Sequence, residues 1–587
     1  MAKQSNRSDA SVVSTPVEAP STSLGLAPRT SLMGLPTELL RDVARRAIQL
    51  GAGGALSLTC RAFSNTNLSH APSLHIQLNS PGCDQFLSGR SQFQLFTPID
   101  AVLRARTCKL ALALEHQQDQ HTGEYIMLVA NVLKKLGSCA AVEACKLGSL
   151  QGPSLVPPEP LSFSPDLAQC LVGSFPSLTS LSFHGYEIPC RDLATLLSHP
   201  QLALQLQQLD LNNTTITNAE RSEPGAATLD NPFQASSLKQ LSLFIQGGVG
   251  EHEPLLPNLQ PLSSHLTQLC ILHEWQVVLC LKRVIVALQP LAQLQVLTFS
   301  DRLPPPTLPA WDLEWLPGLL QALPRLHTLQ LPGVTVRGQQ QLNTLLAATQ
   351  LTSIQLRSVE GLPLMYVDCE DVPCSWQRLE LTGSVDCFTV ARLPLHSLTQ
   401  PLVLEELVIG SYCDCDEVED AVHNLTRACR VPVRFKALCL YMSDVSTAAE
   451  QHVQLQELVA ELQALNHCRE KVWVTRMNVG AADVLTLAPL CQVCTQLEFA
   501  EGSVTPSLEF WRHLMQLMPT VTNVVFGHVE GSTSSAMHES LQLMADQPWA
   551  RWLDICITRH PCSPELPACW LADNPSKPGK LRVWLEA

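Results

Sequence analysis

The chain has 587 residues, more than one hydrophobic core serves, so it either divides into domains or forms an elongated array. Its 38 Lys+Arg against 53 Asp+Glu leave a formal charge of −15, which excludes a general nucleic-acid binder, because phosphates need a basic stripe. With 45% hydrophobic and 16% charged residues, a chain disordered throughout is excluded as well.

Residues 1–30 are polar, rich in Ser, Thr and Pro, and lack the apolar run of a secretory signal. They read as a disordered tail. The alternative is a transit peptide, with Lys3, Arg7 and Arg29 among hydroxyl residues, opposed by Asp9 and Glu18. The next stretch, "GLPTELLRDVARRAIQLGAGGALSLTCRAF" (Gly34–Phe63), occurs once. Pro36 suits a helix start, where a missing N–H costs nothing, and Glu38 suits the positive end of the helix dipole. Leu39, Leu40 and Val43 form an apolar face; Gly51, Gly53 and Gly54 end the helix; a second segment carries Leu56, Leu58, Cys60 and Phe63. The alternating "SLHIQL", with Leu74, Ile76 and Leu78, is a strand that joins this part to the rest.

Beyond it the chain repeats an apolar triplet. The clearest copy is Leu206, Leu209 and Leu211 in "LQQLDLNNTTIT". Counted from Leu178 to Phe435, successive triplets start 28, 32, 28, 28, 32, 25, 25, 28 and 31 residues apart. Two apolar residues at period two make a short strand with one buried face. Between triplets lie amphipathic stretches such as Trp315–Leu323 and Gln339–Ala347, spaced as helices. No single unit buries its own strand and helix, so the core arises by stacking. A long helical segment, Thr447–Leu465, precedes a unit around Val472–Val474 that reads as poorly formed, and fainter triplets start at Val142, Cys494 and Val521. One parallel sheet is expected from about residue 140 onward.

The period and the triplet resemble leucine-rich repeats. That resemblance implies an α/β fold: a solenoid with a curved parallel sheet and outer helices, regular over 170–445 and irregular at both ends. The family's Asn after the strand is mostly replaced, by Thr214 in the best unit and by Val334 in another; Thr keeps a hydrogen bond to the turn and Val does not. Gly34–Phe63 resembles the F-box: Leu35, Pro36, Glu38, Leu39, Leu40 and Val43 match its first half, and Leu56, Leu58, Cys60, Arg61 and Phe63 its second. Thr59 stands where Val is usual, and the glycine-rich loop lacks the usual acidic residue. The resulting division is a tail at 1–30, a small helical F-box-like domain with its joining strand at 31–80, and the solenoid at 81–587.

By that resemblance Leu35, Pro36, Leu39, Leu40, Val43, Leu56, Leu58 and Phe63 dock a Skp-family adaptor of a cullin–RING ubiquitin ligase, and the repeats hold an unknown target protein. The alternative is a protein-binding scaffold with a vestigial helical cap over the first repeat. In the triplet the intervening positions point to the concave side. They include Gln208, Asp210 and Asn212, then Thr298, Gln330, Gln355, Arg357, Arg378 and Glu380. This face is neutral-polar, which suits a protein partner rather than nucleic acid.

Other patterns carry less. The 22 cysteines are scattered and read as reduced, in a cytosolic or nuclear protein. Cys491 and Cys494 have zinc or redox spacing but no second pair at finger distance. "YCDCDEVED" (Tyr412–Asp420) is a solvated acidic lead into a helix, or a cation chelator. The glycine runs lack phosphate-loop context, and no catalytic motif occurs. No apolar run spans a membrane, and the nearest is interrupted by Lys282 and Arg283. The expectation is a non-enzyme with no metal, no cofactor, no nucleic acid and no membrane.

Overall fold

The computed structural model describes residues 73–77, 109–114, 129–134 and 142–149, most of 165–527, and then 553–558 and 581–586. The F-box-like stretch lies outside the described residues. By its contacts the chain separates into Met1–Pro72 with Gln92–Thr107, and Ser73–Ser91 with Cys108–Ala587. Everything below belongs to the second unit.

Its main element, among the described residues, is an 18-stranded sheet. In chain order the strands begin with β1 (Ser73–Gln77), β2 (Lys109–Leu114), β3 (Ala144–Ser149), β4 (Ser180–His184), β6 (Gln208–Asp210), β8 (Gln240–Ile245) and β9 (Gln268–His273). They continue with β10 (Val296–Asp301), β11 (Thr328–Arg337), β12 (Ser353–Glu360), β13 (Arg378–Asp386), β14 (Leu402–Ile409) and β15 (Val433–Tyr441). The last are β16 (Cys468–Thr475), β17 (Gln496–Ala500), β18 (Asn523–Phe526), β19 (Leu553–Thr558) and β20 (Leu581–Glu586). Each pairs in parallel with the next in this series. Two further strands, β5 (Glu187–Pro189) and β7 (Thr215–Thr217), form a separate parallel pair just past β4 and β6.

Parallel neighbours need a return path of a dozen residues or more. Helices such as Cys190–Leu197, Leu316–Ala322, Gly338–Leu346 and Ala481–Leu487 supply it, and consecutive helices pack on one another. Between strand and helix lies the core. In all ten units from Leu178 to Leu440 the three triplet residues are at most 3% exposed. Each such side chain contributes about 1.5–3 kcal/mol of burial before entropy is subtracted.

Register is set at the strand entrances. The carbonyl of Thr179 accepts from the N–H groups of Gln207 and Gln208. Gln207 does the same for Lys239 and Gln240, Lys239 for Thr267 and Gln268, and Thr267 for Gln295 and Val296. The staircase continues through Gln295, His327 and Thr352. Where the entrance residue is threonine its hydroxyl adds a bond to the preceding step, as Thr179 does to Glu143 and Thr267 to Lys239, both at 3.1 Å. Helix starts are capped locally: Asp386 accepts from Thr389 N, Thr447 from Glu450 N and Ser507 from Phe510 N.

Two sequence expectations are corrected. Among the described residues the sheet already includes Ser73–Gln77, not only strands from near residue 140: the joining strand is paired over five residues with β2. The unit around Val472–Val474 is a well-formed strand of eight residues. Arg469 occupies its first triplet position, which hides the pattern, yet Val472 and Val474 are buried and in register with Leu438 and Leu440. Packing between two good neighbours overrides one missing apolar residue.

The turn after the best strand behaves as its chemistry suggests. Thr214 is fully buried and its hydroxyl donates to the Phe183 carbonyl of the preceding unit at 3.0 Å. Val334 is also buried, and the adjacent Thr335 hydroxyl bonds Ser358 at 2.9 Å instead.

Candidate functional site

The strands alternate, so the residues between the buried ones form rows on the face of the sheet away from the core. One row runs Ser182, Asp210, Ser242, Cys270, Thr298, Gln330, Gln355, Glu380. A second, one step toward the strand entrances, runs Ser180, Gln208, Gln240, Gln268, Val296, Thr328, Ser353, Arg378. Seven of the nine sequence-derived concave residues stand in these two rows: Asp210, Thr298, Gln330, Gln355 and Glu380 in the first, Gln208 and Arg378 in the second.

The other two differ. Asn212 lies past the end of β6, where its N–H donates to the Asp210 carboxylate at 3.1 Å and its carbonyl sits 3.1 Å from His184 Nδ1. It shapes the turn instead of extending a row, because the Asp210 side chain closes a local turn on its N–H. Arg357 lies beyond the first row. Its side chain crosses Gly383, where an added Cβ would come within 2.9 Å of Arg357 Cγ. The adaptor-docking set, Leu35, Pro36, Leu39, Leu40, Val43, Leu56, Leu58 and Phe63, lies outside the described residues.

Within the first row the side chains are joined in twos across neighbouring strands. Ser182 donates to Asp210 at 3.1 Å, Thr298 to Gln330 at 2.7 Å and Gln355 to Glu380 at 3.1 Å. Ser242 bonds the Cys270 thiol, whose pKa burial pushes up to about 11; the nearby Asp210 charge adds to the rise and the Ser242 bond opposes it. Arg378 reaches the other oxygen of Glu380 at 3.1 Å. In the second row Gln208, Gln240 and Gln268 stand in register on three consecutive strands, with no side-chain hydrogen bond among the described residues. The first row is therefore already cross-linked, while the glutamine row offers unspent amide donors and acceptors.

Strands β14 to β17 carry a different surface that the sequence reading missed. Lys436 pairs with Glu405 at 2.7 Å, and that bond raises the pKa of the ammonium. Lys471 pairs with Glu498 at 2.6 Å and lies 4.5 Å over the Trp473 ring. Arg476, at a positive φ of 58°, stacks on Tyr441 at 5.2 Å. The exposed Lys436–Glu405 pair adds little stability, about 0–1 kcal/mol, whereas Lys471–Glu498 is half-buried. Glu405 and Lys436 directly follow the first residue of their triplets, outside the outward positions that the triplet register assigns, and Arg469 broke the pattern around Lys471 and Trp473.

Among the described residues no group of three or more His, Cys, Asp or Glu is placed to hold a metal, and no helix is long and apolar enough to cross a membrane. Cys491 and Cys494 are fully buried core residues, with the Cys494 thiol 3.7 Å from the Cys491 carbonyl. On the helical side, the buried Asp483 accepts from Gly480 N–H at 2.7 Å and lies 2.7 Å from His452 Nδ1, tying helix Ala481–Leu487 to helix Ala448–Leu462.

No family model matches the chain, and no curated protein matches it. Among solved structures it is similar to that described as "Crystal structure of TLR13-ssRNA13 complex", at 12% identity and a TM-score of 0.28, over 66% of this chain and 49% of that one. The chain thus spans about half the length of that protein, and at this TM-score the likeness decides nothing about fold or ligand.

Proposed function

We propose that this chain is a leucine-rich-repeat receptor that binds a protein partner on the face of its sheet. We further propose that it is the non-catalytic substrate-recognition subunit of a Skp–cullin–F-box type ubiquitin ligase in the cytosol or nucleus. The repeat reading rests on the triplet period and on burial of every triplet between Leu178 and Leu440. The observation that carries partner binding is the pair of in-register polar rows, above all the uncommitted glutamines at 208, 240 and 268. A row of neutral amides recognises hydrogen-bonding groups by shape and register, not by charge, so binding there depends weakly on salt. The ligase reading rests on the F-box resemblance of Gly34–Phe63.

The test is co-purification of the full chain with a Skp-type adaptor. The wild-type chain captures the adaptor. Leu39→Asp combined with Leu40→Asp abolishes capture, because two carboxylates cannot be buried unpaired in an apolar interface. The far-UV circular dichroism of the repeats stays unchanged. A wild-type chain that captures no adaptor, or a double variant that still does, removes the ligase reading. The scaffold reading, with the same sheet face, then stands in its place.

A further inference from the structure

Given a protein partner on the sheet face, as proposed above, we propose that it is read there through its main chain. The partner lays an extended, uncharged segment in the polyproline II conformation across the strands, along the glutamine row. From Ser180 on β4 to Ser353 on β12 that row crosses seven strands in register and holds no charged residue. Gln208 and Gln268 are exposed and Gln240 is half-buried. Among the described residues no other group of the chain holds any of the three amides. An amide head carries two donors and a carbonyl acceptor, the complement of a peptide group with its one N–H and one C=O. The carboxylates of the neighbouring row are already engaged: Asp210 accepts from Ser182, and Glu380 from Gln355 and Arg378.

Spacing selects the conformation. Parallel strands stand about 4.8 Å apart, so Gln208 and Gln268, two strands apart, are separated by about 9.6 Å. One turn of polyproline II, three residues, covers about 9.3 Å. The two amides therefore meet equivalent groups on successive turns, and Gln240 reaches the chain between them. A β-strand repeats its outward groups about every 6.8 Å and falls out of step with the row. An α-helix bonds its own N–H and C=O groups and offers the row only side chains. Polyproline II has no internal hydrogen bonds, so its peptide groups remain free to bond. From Ser180 to Ser353 the row is about 29 Å long, the length of about nine such residues.

The probes are two display libraries panned on the full chain: unconstrained random peptides about twelve residues long, and folded domains with randomised surfaces. Peptides are expected to be enriched, and the affinity of the best, read by fluorescence anisotropy, to depend weakly on salt. Gln208→Ala, Gln240→Ala and Gln268→Ala combined weaken that peptide at least about tenfold, with circular dichroism unchanged. If this variant melts below the wild type, Gln208→Ala with Gln268→Ala, both at exposed positions, is read instead, with a weakening of about fivefold. Replacing a peptide amide by an ester removes one N–H, weakens one carbonyl and keeps every side chain. It should weaken binding about two- to tenfold at two positions three residues apart. Failure to enrich any peptide, or peptides indifferent to ester substitution, overturns main-chain recognition. Sensitivity at alternate positions marks a β-strand and overturns the polyproline II assignment. In either case, folded domains that the glutamine variants lose still leave the sheet face as the partner's site. Binders of both kinds unmoved by the glutamine variants overturn the sheet face as well.

Discussion

Replacing Thr214 by Val removes one hydroxyl and almost no volume, so it isolates the hydrogen bond that the hydroxyl makes. The hydroxyl donates to Phe183 O at 3.0 Å in a fully buried site. The intervening β4–β6 ladder runs only from Ser180 with Gln208 to Ser182 with Asp210, so this bond ties the units together just beyond the strands. A typical buried hydrogen bond contributes about 0.5–1.5 kcal/mol net, and a carbonyl left without a donor costs about 1–3 kcal/mol. The expected loss is therefore about 1–3 kcal/mol. It should be local, because an array of stacked units opens piecewise. Global denaturation is the wrong assay, since such arrays depart from two-state behaviour. Hydrogen exchange read by mass spectrometry on peptides covering β4 to β7 should show exchange faster by about 5–150-fold, with β14 to β18 unchanged. Thr214→Ser keeps the donor, loses one methyl group and should cost about 1 kcal/mol. Equal protection in Thr214→Val and the wild type would refute the assignment of Thr214 as the unit-to-unit tie.

Further outcomes follow from burial and backbone geometry. Burial pushes the Cys145 thiol up to about 12 from its ordinary 9.0, so at about pH 8 it resists iodoacetamide in the native chain and reacts in denaturant. Between those two pH values the folded state keeps a proton that the unfolded state has lost, so this thiol makes stability fall as pH rises above 9.0. Labelling measured by mass spectrometry, and melts across alkaline pH, check both points. Gly410 has a φ of 91°, and a Cβ there would collide with the Tyr441 carbonyl. Gly410→Ala should therefore cost more than the roughly 1–2 kcal/mol of backbone strain alone. By contrast, Gly318 lies in helix Leu316–Ala322 with open space around it, so Gly318→Ala should stabilise by about 0.5–1 kcal/mol. Thermal melts of the two variants should move in opposite directions.

The repeating architecture was legible because its cause is local. A triplet such as Leu326, Leu329 and Leu331 specifies which residues are buried, and its recurrence specifies stacking, whatever lies far away. The helices at Gly338–Leu346 and Ala448–Leu462 were legible as helical stretches of the sequence. The candidate face was legible as a set of positions, since alternation along a strand follows from the peptide unit itself.

What the sequence did not reveal depends on neighbours in space. Arg469 hid the strand at Cys468–Thr475, which forms because β15 and β17 present ladders on both sides. Asn212 sits on the right side of Leu211 by counting, yet it turns away because the Asp210 carboxylate takes its N–H. Nor could one strand show that Thr298 is committed to Gln330 and Gln355 to Glu380, while Gln208, Gln240 and Gln268 keep their amides open. The sequence by itself determined the repeat, its buried triplets and the outward positions, because each rests on backbone periodicity within one unit. Only the tertiary structure decided which outward side chains are already bonded to one another. That depends on register between strands 25 or more residues apart, and register is a property of the stack.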